Sequence, residues 1–291
     1  MSKRKLRNIR LLETGYNHAA FNMAVDEALM YELATLNHHQ ATGKTEGESN
    51  IASSDDKEKK RAAETKRDEE TPQRYSSPAA AAVLRIYGWK PPAVSIGYFQ
   101  SMDLEVDVHE CRRRGIDLVR RITGGGAVYH EAELTYSFLT NAFSNDIMQS
   151  YISICNPVVQ AIRKLGFDAR FAPLNDIVIG KGVKVSGNAQ TRRMNVLLQH
   201  GTILLDVNVE KMFSFLRVPS EKIKDKLIHD VKERVSGLNR SFDEVAKNLK
   251  MSFSEGFDAE LLSDRLTAEE YSKVDLLIKE KYSSDSWNWR K

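Results

Sequence analysis

Arg120-Arg121-Ile122-Thr123-Gly124-Gly125-Gly126-Ala127-Val128-Tyr129-His130 is the stretch on which the reading of this chain turns. Three glycines after a β-rich run let the backbone approach a ligand closely and aim successive N–H groups at one place, which suits a phosphate or a carboxylate. The two arginines give that place charge and bidentate donors. A glycine triplet also serves as a plain tight turn, so taken alone it is a moderate sign. No G-x-x-x-x-G-K-[ST] and no strand-to-helix G-x-G-x-x-G is present, so the usual nucleotide loops are absent.

Outward from the glycines, secondary structure follows from spacing. Upstream, FNMAVDEALMYELATL puts Phe21, Val25, Leu29, Leu33 and Leu36 on one helical face. VLRIYGW and AVSIGYF are short β-rich runs divided by Lys90-Pro91-Pro92, which favours a turn. A helix is predicted from Asp103 to Arg114, stopping at Gly115, and another from Asp146 to Leu165, stopping at Gly166. Downstream, DIVIG, VKVSG and VLLQHGTILLDV read as strands, with Gly180-Lys181-Gly182 turning the first hairpin. The rest reads as helical, with capping boxes at Ser241/Glu244 and Thr267/Glu270. Strands in the middle with helices before, between and after predict an α+β fold with a mixed sheet and packed helices.

The chain is 291 residues long, 29% charged and 41% hydrophobic, which suffices for a sizeable soluble core. It reads as one domain over 1–291, interrupted at about 38–82 by a charged surface insertion. Between Lys44 and Arg74 the only large apolar side chain is Ile51, so burial there cannot offset the entropy of ordering. Lys+Arg 43 against Asp+Glu 40 leaves a formal +3, too little to argue for nucleic acid. The basic CRRRG run lacks interleaved aromatics and reads as a solvated face or a docking surface for an acidic partner. No apolar run of about 18 residues is present, so no membrane partner is expected. Two cysteines, Cys111 and Cys155, cannot build a disulfide framework, and a reducing cytosol is the expected compartment.

A second chemistry-bearing stretch is Asn175-Asp176-Ile177 followed by Lys184-Val185-Ser186-Gly187-Asn188-Ala189. An ammonium late in a strand beside small residues can reach into a pocket and steady phosphate or carbonyl charge. Asp176 offers a magnesium contact. An edge-strand lysine and a turn-capping aspartate are the bland readings of the same residues.

The two stretches together resemble the lipoate–protein ligase family, whose catalytic domain is related in fold to biotin ligases and class II tRNA synthetases. The paired Arg, GGG and His pattern is met by Arg120 to His130, the N-D-hydrophobic signature by Asn175-Asp176-Ile177, and Lys-x-Ser-Gly-x-Ala by Lys184 to Ala189. The resemblance implies a ligase that activates lipoate with ATP and Mg2+ to lipoyl-adenylate. It then transfers the lipoyl group to a lysine of lipoyl-domain acceptors, such as E2 subunits of 2-oxoacid dehydrogenases and the glycine cleavage H protein. Carried over by position, Lys184 is the catalytic residue. Arg120, Arg121, Gly124, Gly125, Gly126, Ala127, Val128, Tyr129, His130, Asn175, Asp176, Lys184, Ser186 and Gly187 hold ATP or the adenylate, and Asp176 helps with metal. Because the chain stops soon after its Tyr-Ser-x-x-x-Trp segment, it resembles split ligases and implies a separate small accessory subunit.

One departure keeps an alternative open. After His130 the chain reads Glu131-Ala132-Glu133-Leu134-Thr135-Tyr136, which looks more like the related octanoyltransferases. Those enzymes pass the acyl group through a cysteine thioester. Neither Cys111 nor Cys155 lies just before Asn175 or on the Lys184 strand, where they carry theirs, so the ligase is the favoured expectation.

Overall fold

The computed structural model describes residues 6–42, 82–218 and 224–290. The insertion expected at about 38–82 therefore lies almost wholly outside the described residues. Its neighbours are strand β1 (Asn8–Asn17) and helix α1 (Ala19–Thr42) on one side and strand β2 (Ala82–Trp89) on the other.

A short strand β3 (Ala93–Ile96) is followed by helices α2 (Met102–Glu105) and α3 (Val108–Arg113), then strands β4 (Asp117–Arg120), β5 (Val128–His130) and β6 (Glu133–Thr140). Helix α4 (Ile147–Lys164) leads to β7 (Ala169–Ala172), β8 (Asp176–Ile179), β9 (Val183–Arg193) and β10 (Val196–Leu204). The remainder is α5 (Val209–Phe215), α6 (Lys224–Arg234), α7 (Phe242–Phe257), strand β11 (Glu260–Asp264), α8 (Ala268–Leu277), a π-turn (Ile278–Tyr282) and α9 (Asp285–Asn288).

Two sheets result, which is the α+β mixed-sheet class. The larger has order β11-β1-β2-β6-β10-β9-β8-β7, parallel across β11-β1-β2 and antiparallel beyond. The smaller has order β4-β3-β5.

Every residue of β2 is buried, because helices cover both sheet faces. Leu84 and Ile86 meet Val158 of α4 and Leu249 and Phe253 of α7. Val83 and Tyr87, one pleat over, meet Val25, Leu29 and Leu33 of α1. Arg85 shares that second face, and a guanidinium in mid-strand is tolerable because α1 supplies its partner: Nη1 donates to Asp26 Oδ1 at 2.9 Å. Packed apolar residues on α2, α3 and α5 close a third cluster over the small sheet.

The structure departs from the sequence reading in three places. The predicted helix Asp103–Arg114 is broken, because Val106 takes extended geometry and bridges to Leu216. Strands β1 and β11, unforeseen, form one side of the large sheet as parallel neighbours. Of the two expected capping boxes, Thr267/Glu270 is reciprocal, whereas Ser241 accepts from the Glu244 N–H without the return bond.

Candidate functional site

Where the edge of the small sheet faces the large one, a cleft of about 340 Å3 opens. Ser95, Gly125, Gly126, Val128, Tyr129 and His130 line it from the small-sheet side, and Trp89, Thr135, Lys184, Gly187, Asn188 and His200 from the large.

The glycine loop is held open from behind. Arg121, 5% exposed, donates through Nη1 to the Ser95 carbonyl at 2.9 Å and Ser95 Oγ at 2.7 Å, and through Nη2 to the carbonyls of Gly124 and Gly126 at 3.1 and 2.9 Å. No carboxylate among the described residues pairs with it, and burial pulls its pKa down to about 10. With the loop carbonyls drawn back to Arg121, the amides of Gly125 and Gly126 make no hydrogen bond to the described residues and remain available to a ligand. Two glycines are required by geometry. Gly125 has φ +96°, and a Cβ on Gly97 would stand 2.0 Å from the Gly125 carbonyl oxygen.

Across the cleft, a bulge in β9 re-aims a side chain. Ile177 pairs with Ser186 but the next residue, Val178, pairs with Lys184, leaving Val185 extra. Lys184 Nζ meets Asp176 Oδ1 at 2.8 Å, with both side chains about one-third exposed. It folds over Gly187, where a Cβ would lie 3.0 Å from Nζ. Asn188 locks the turn before β8: its N–H and Nδ2 donate to the Asn175 carbonyl at 3.0 and 2.9 Å.

Two histidines line the cleft. His130 Nδ1 lies 2.7 Å from Glu133 Oε1 and its Nε2 lies 2.6 Å from Ser95 Oγ. Trp89 stacks on its ring at 3.9 Å and 16°. Thr135 Oγ1 accepts from Trp89 Nε1 and donates to Glu133 Oε1, while Glu133 Oε2 is buried with no partner among the described residues. His200 Nδ1 faces Asp26 Oδ2 at 3.1 Å and its Nε2 faces Thr123 Oγ1 at 2.8 Å. Burial holds the His200 imidazole below its ordinary pKa.

Of the residues expected at the site, Arg121, Gly125 to His130, Asn175, Lys184 and Gly187 are assembled here. Arg120 is a correction: it points away from the cleft, donating to the carbonyls of Tyr98 and Gln100 and to those of Trp287, Asn288 and Arg290. Gly124 and Ser186 are not among the lining residues, and Ser186 is fully buried. Asp176 Oδ1 meets Lys184 Nζ, and among the described residues no group of three or more His, Cys, Asp or Glu side chains comes together. Phe99 is 90% exposed and is not among the cleft-lining residues.

Sequence reasoning missed Ser95, Trp89, Glu133 and Thr135. The available signal was polar alternation in β6, where Glu133, Thr135 and Ser137 interleave with Leu134, Tyr136 and Phe138.

Both cysteines lie outside the cleft. Cys111 is buried with Val94 and Ile96, and Cys155 is buried on α4. Burial pushes each thiol up to about 12.

Comparison with known proteins adds three findings. A sequence model of the lipoyl protein ligase A/B catalytic domain matches residues 62–255. Octanoyltransferases LipM of Kyrpidia tusciae and Geobacillus kaustophilus are 36% and 32% identical, each alignment covering 97% of this chain and 98% of the relative. Among solved structures, the bi-partite lipoate protein ligase of an archaeal lipoylation system from Thermoplasma acidophilum superposes with TM-score 0.75 at 30% identity, covering 98% of both chains. A lipoate-protein ligase A bound with ATP gives 0.69 at 28%, with the same coverage.

The full-length LipM relatives overturn the expectation of an ATP-dependent lipoate ligase. In the departure after His130, Glu133 and Thr135 build the support on which that histidine rests. Although one structural neighbour holds ATP, the LipM relatives lend no support to an ATP or Mg2+ requirement here.

Proposed function

The chain belongs to the lipoyl protein ligase A/B catalytic-domain family, and from that premise we propose that it transfers an octanoyl group from an activated carrier thioester to a lysine of a lipoyl-domain acceptor protein. The observation that carries the reading is end-to-end similarity to octanoyltransferases, joined to a cleft that pairs a donor-rich loop with apolar wall.

The cleft suits the chemistry in three ways. Met23, Val128, Met212 and Val235 on its wall offer an alkyl chain apolar contact. The Gly125 and Gly126 amides and the Lys184 ammonium supply donors for the oxygen on which negative charge grows as the carbonyl is attacked. Asp176 holds Lys184 in place and is the nearer counter-charge. Acceptor recognition follows the archaeal neighbour, described together with its E2 lipoyl domain. The exposed Arg112, Arg113 and Arg114 on the small-sheet side give an acidic acceptor a surface to meet.

The test is acyl transfer to a purified lipoyl domain followed by intact mass. Octanoyl-carrier-protein alone is expected to modify the acceptor. Modification that requires free lipoate or octanoate together with Mg-ATP, with none from the thioester, overturns the reading.

A further inference from the structure

The acceptor reaches the cleft as a lysine side chain, a cation on a flexible stem, and must come to rest near Lys184, which carries the same charge. A carboxylate at the cleft mouth offsets that repulsion. Three carboxylates line the cleft among the described residues: Glu131, Glu133 and Asp206. Two of them are occupied. Glu133 is 2% exposed and faces His130, and Glu131 is ion-paired with Lys211. Asp206 is exposed and pairs with no Lys or Arg among the described residues. We infer that Asp206 receives the ammonium of the acceptor lysine at the cleft mouth, a recognition role that rests on the octanoyl-transfer reading above.

Backbone contacts hold this carboxylate in place. The N–H groups of Leu205 and Asp206 both donate to the Ala132 carbonyl, at 2.9 and 3.1 Å, which joins the turn after β10 to the turn between β5 and β6. Asp206 Oδ1 accepts from the Val207 N–H at 2.8 Å, a local bond that fixes the side chain and leaves Oδ2 open to a ligand. On its other side the segment after α6 straps Asp206 to the strand of Lys184. Val235 bridges to Lys184, the Ser236 N–H donates to the Lys184 carbonyl at 3.0 Å, and the Asn239 N–H donates to the Leu205 carbonyl at 2.9 Å. Between these contacts Gly237 passes so close that a Cβ there would stand 2.6 Å from Asp206 Cα. One short segment thus sets the rim carboxylate and the Lys184 backbone in a fixed relation.

An ammonium held by a carboxylate is not yet a nucleophile, so Asp206 acts on capture of the acceptor, before the amine loses its proton to solvent and attacks. A contact of this kind is made before the transition state and kept into it. Its loss therefore falls on KM for the acceptor and leaves kcat and the donor KM alone. Exposure to water keeps the expected factor modest, at about 5- to 20-fold.

The experiment is a double-mutant cycle on binding. The full chain and its Asp206→Asn variant are each titrated with a lipoyl domain and with the same domain carrying methionine in place of its target lysine. Asp206→Asn is expected to weaken the lysine domain about 5- to 20-fold and the methionine domain by less than about twofold. A purely structural Asp206 would weaken both alike. Steady-state transfer from octanoyl-carrier-protein is expected to show the same factor in the acceptor KM, an unchanged kcat, and recovery by Asp206→Glu to within about threefold of the parent. Equal losses for the two domains, no loss for either, or a fall in kcat at constant acceptor KM overturns the inference. A parent chain that binds the lysine domain but transfers nothing from the thioester overturns the octanoyl reading alone, because the binding cycle needs no donor.

Discussion

His130 and His200 each sit between a hydroxyl and a carboxylate, and both line the same cleft, yet their surroundings differ in what the proton can do. Asp26, behind His200, is saturated: Arg85 donates to Oδ1, and Ser137 and His200 approach Oδ2. Glu133, behind His130, keeps one oxygen without a partner among the described residues. The hydroxyl before His200 belongs to Thr123 at the root of the glycine loop, whereas that before His130 belongs to Ser95 on the cleft wall. Similar parts thus differ in how fully the carboxylate behind each imidazole is partnered. The difference lies in which end of each relay is left unfilled.

Substituting each relay in turn separates them. His130→Asn is expected to cut octanoyl transfer about 10²–10⁴-fold, while far-ultraviolet circular dichroism stays that of the parent; transfer within threefold would make His130 a brace. Asp26→Asn is expected to act on stability instead. It leaves the buried Arg85 guanidinium unpaired, at a cost of about 3–5 kcal/mol in urea unfolding. Lys184→Met is expected to lower transfer about 10²–10³-fold with the unfolding midpoint unchanged, since its ion pair with Asp176 is partly exposed.

The His200 relay also has a pH signature. Burial opposes the Asp26 charge, but the His200 hydrogen bond and the Arg85 charge together hold its pKa below the ordinary carboxylate value, and burial holds His200 below the ordinary imidazole value. For both groups the unfolded chain binds more protons than the folded one, so stability rises with pH across the window between folded and unfolded values. Stability should therefore fall on acidification from about pH 6.5, first through His200 and then through Asp26. His200→Gln should remove the first phase of an unfolding-versus-pH series and leave the second. The smallest expected effect comes from Cys111→Ala and Cys155→Ala: transfer unchanged, and about 1 kcal/mol of stability lost at each buried site. A large loss of transfer in either would restore a thiolate carrier.

What could be read from the chain before its structure follows from how local the information was. The glycine loop, the Lys184 strand and the apolar face of α1 are encoded in spacings of a few residues, and the structure contains all three. The parallel pair β1 and β11 is not local: Asn8 meets Glu260 across the whole chain, and each strand is stabilised only by the other elements. Ser95 was invisible for a related reason. In AVSIGYF it is one small residue in an apolar strand, and only the antiparallel pairing of β3 with β5, Ala93 opposite His130, brings its hydroxyl to an imidazole. Arg120 and Arg121 show the converse. Adjacent in sequence and alike in charge, they leave the chain in opposite directions, one to the loop carbonyls and one to the segment 287–290.

That second direction has a mechanical consequence. Arg120, 1% exposed, has no carboxylate partner among the carbonyl oxygens it gathers from Gly97, Tyr98 and Gln100 on one side and Trp287, Asn288 and Arg290 on the other. Its counter-charge is a ring of backbone dipoles, a rivet that neither salt nor acid can titrate away. Lysine, with three donors on a single nitrogen, could not span it. Two segments nearly 190 residues apart in sequence therefore share one fastener, and a force applied at Trp287 is delivered to the backbone of Gly97, against which the glycine loop rests.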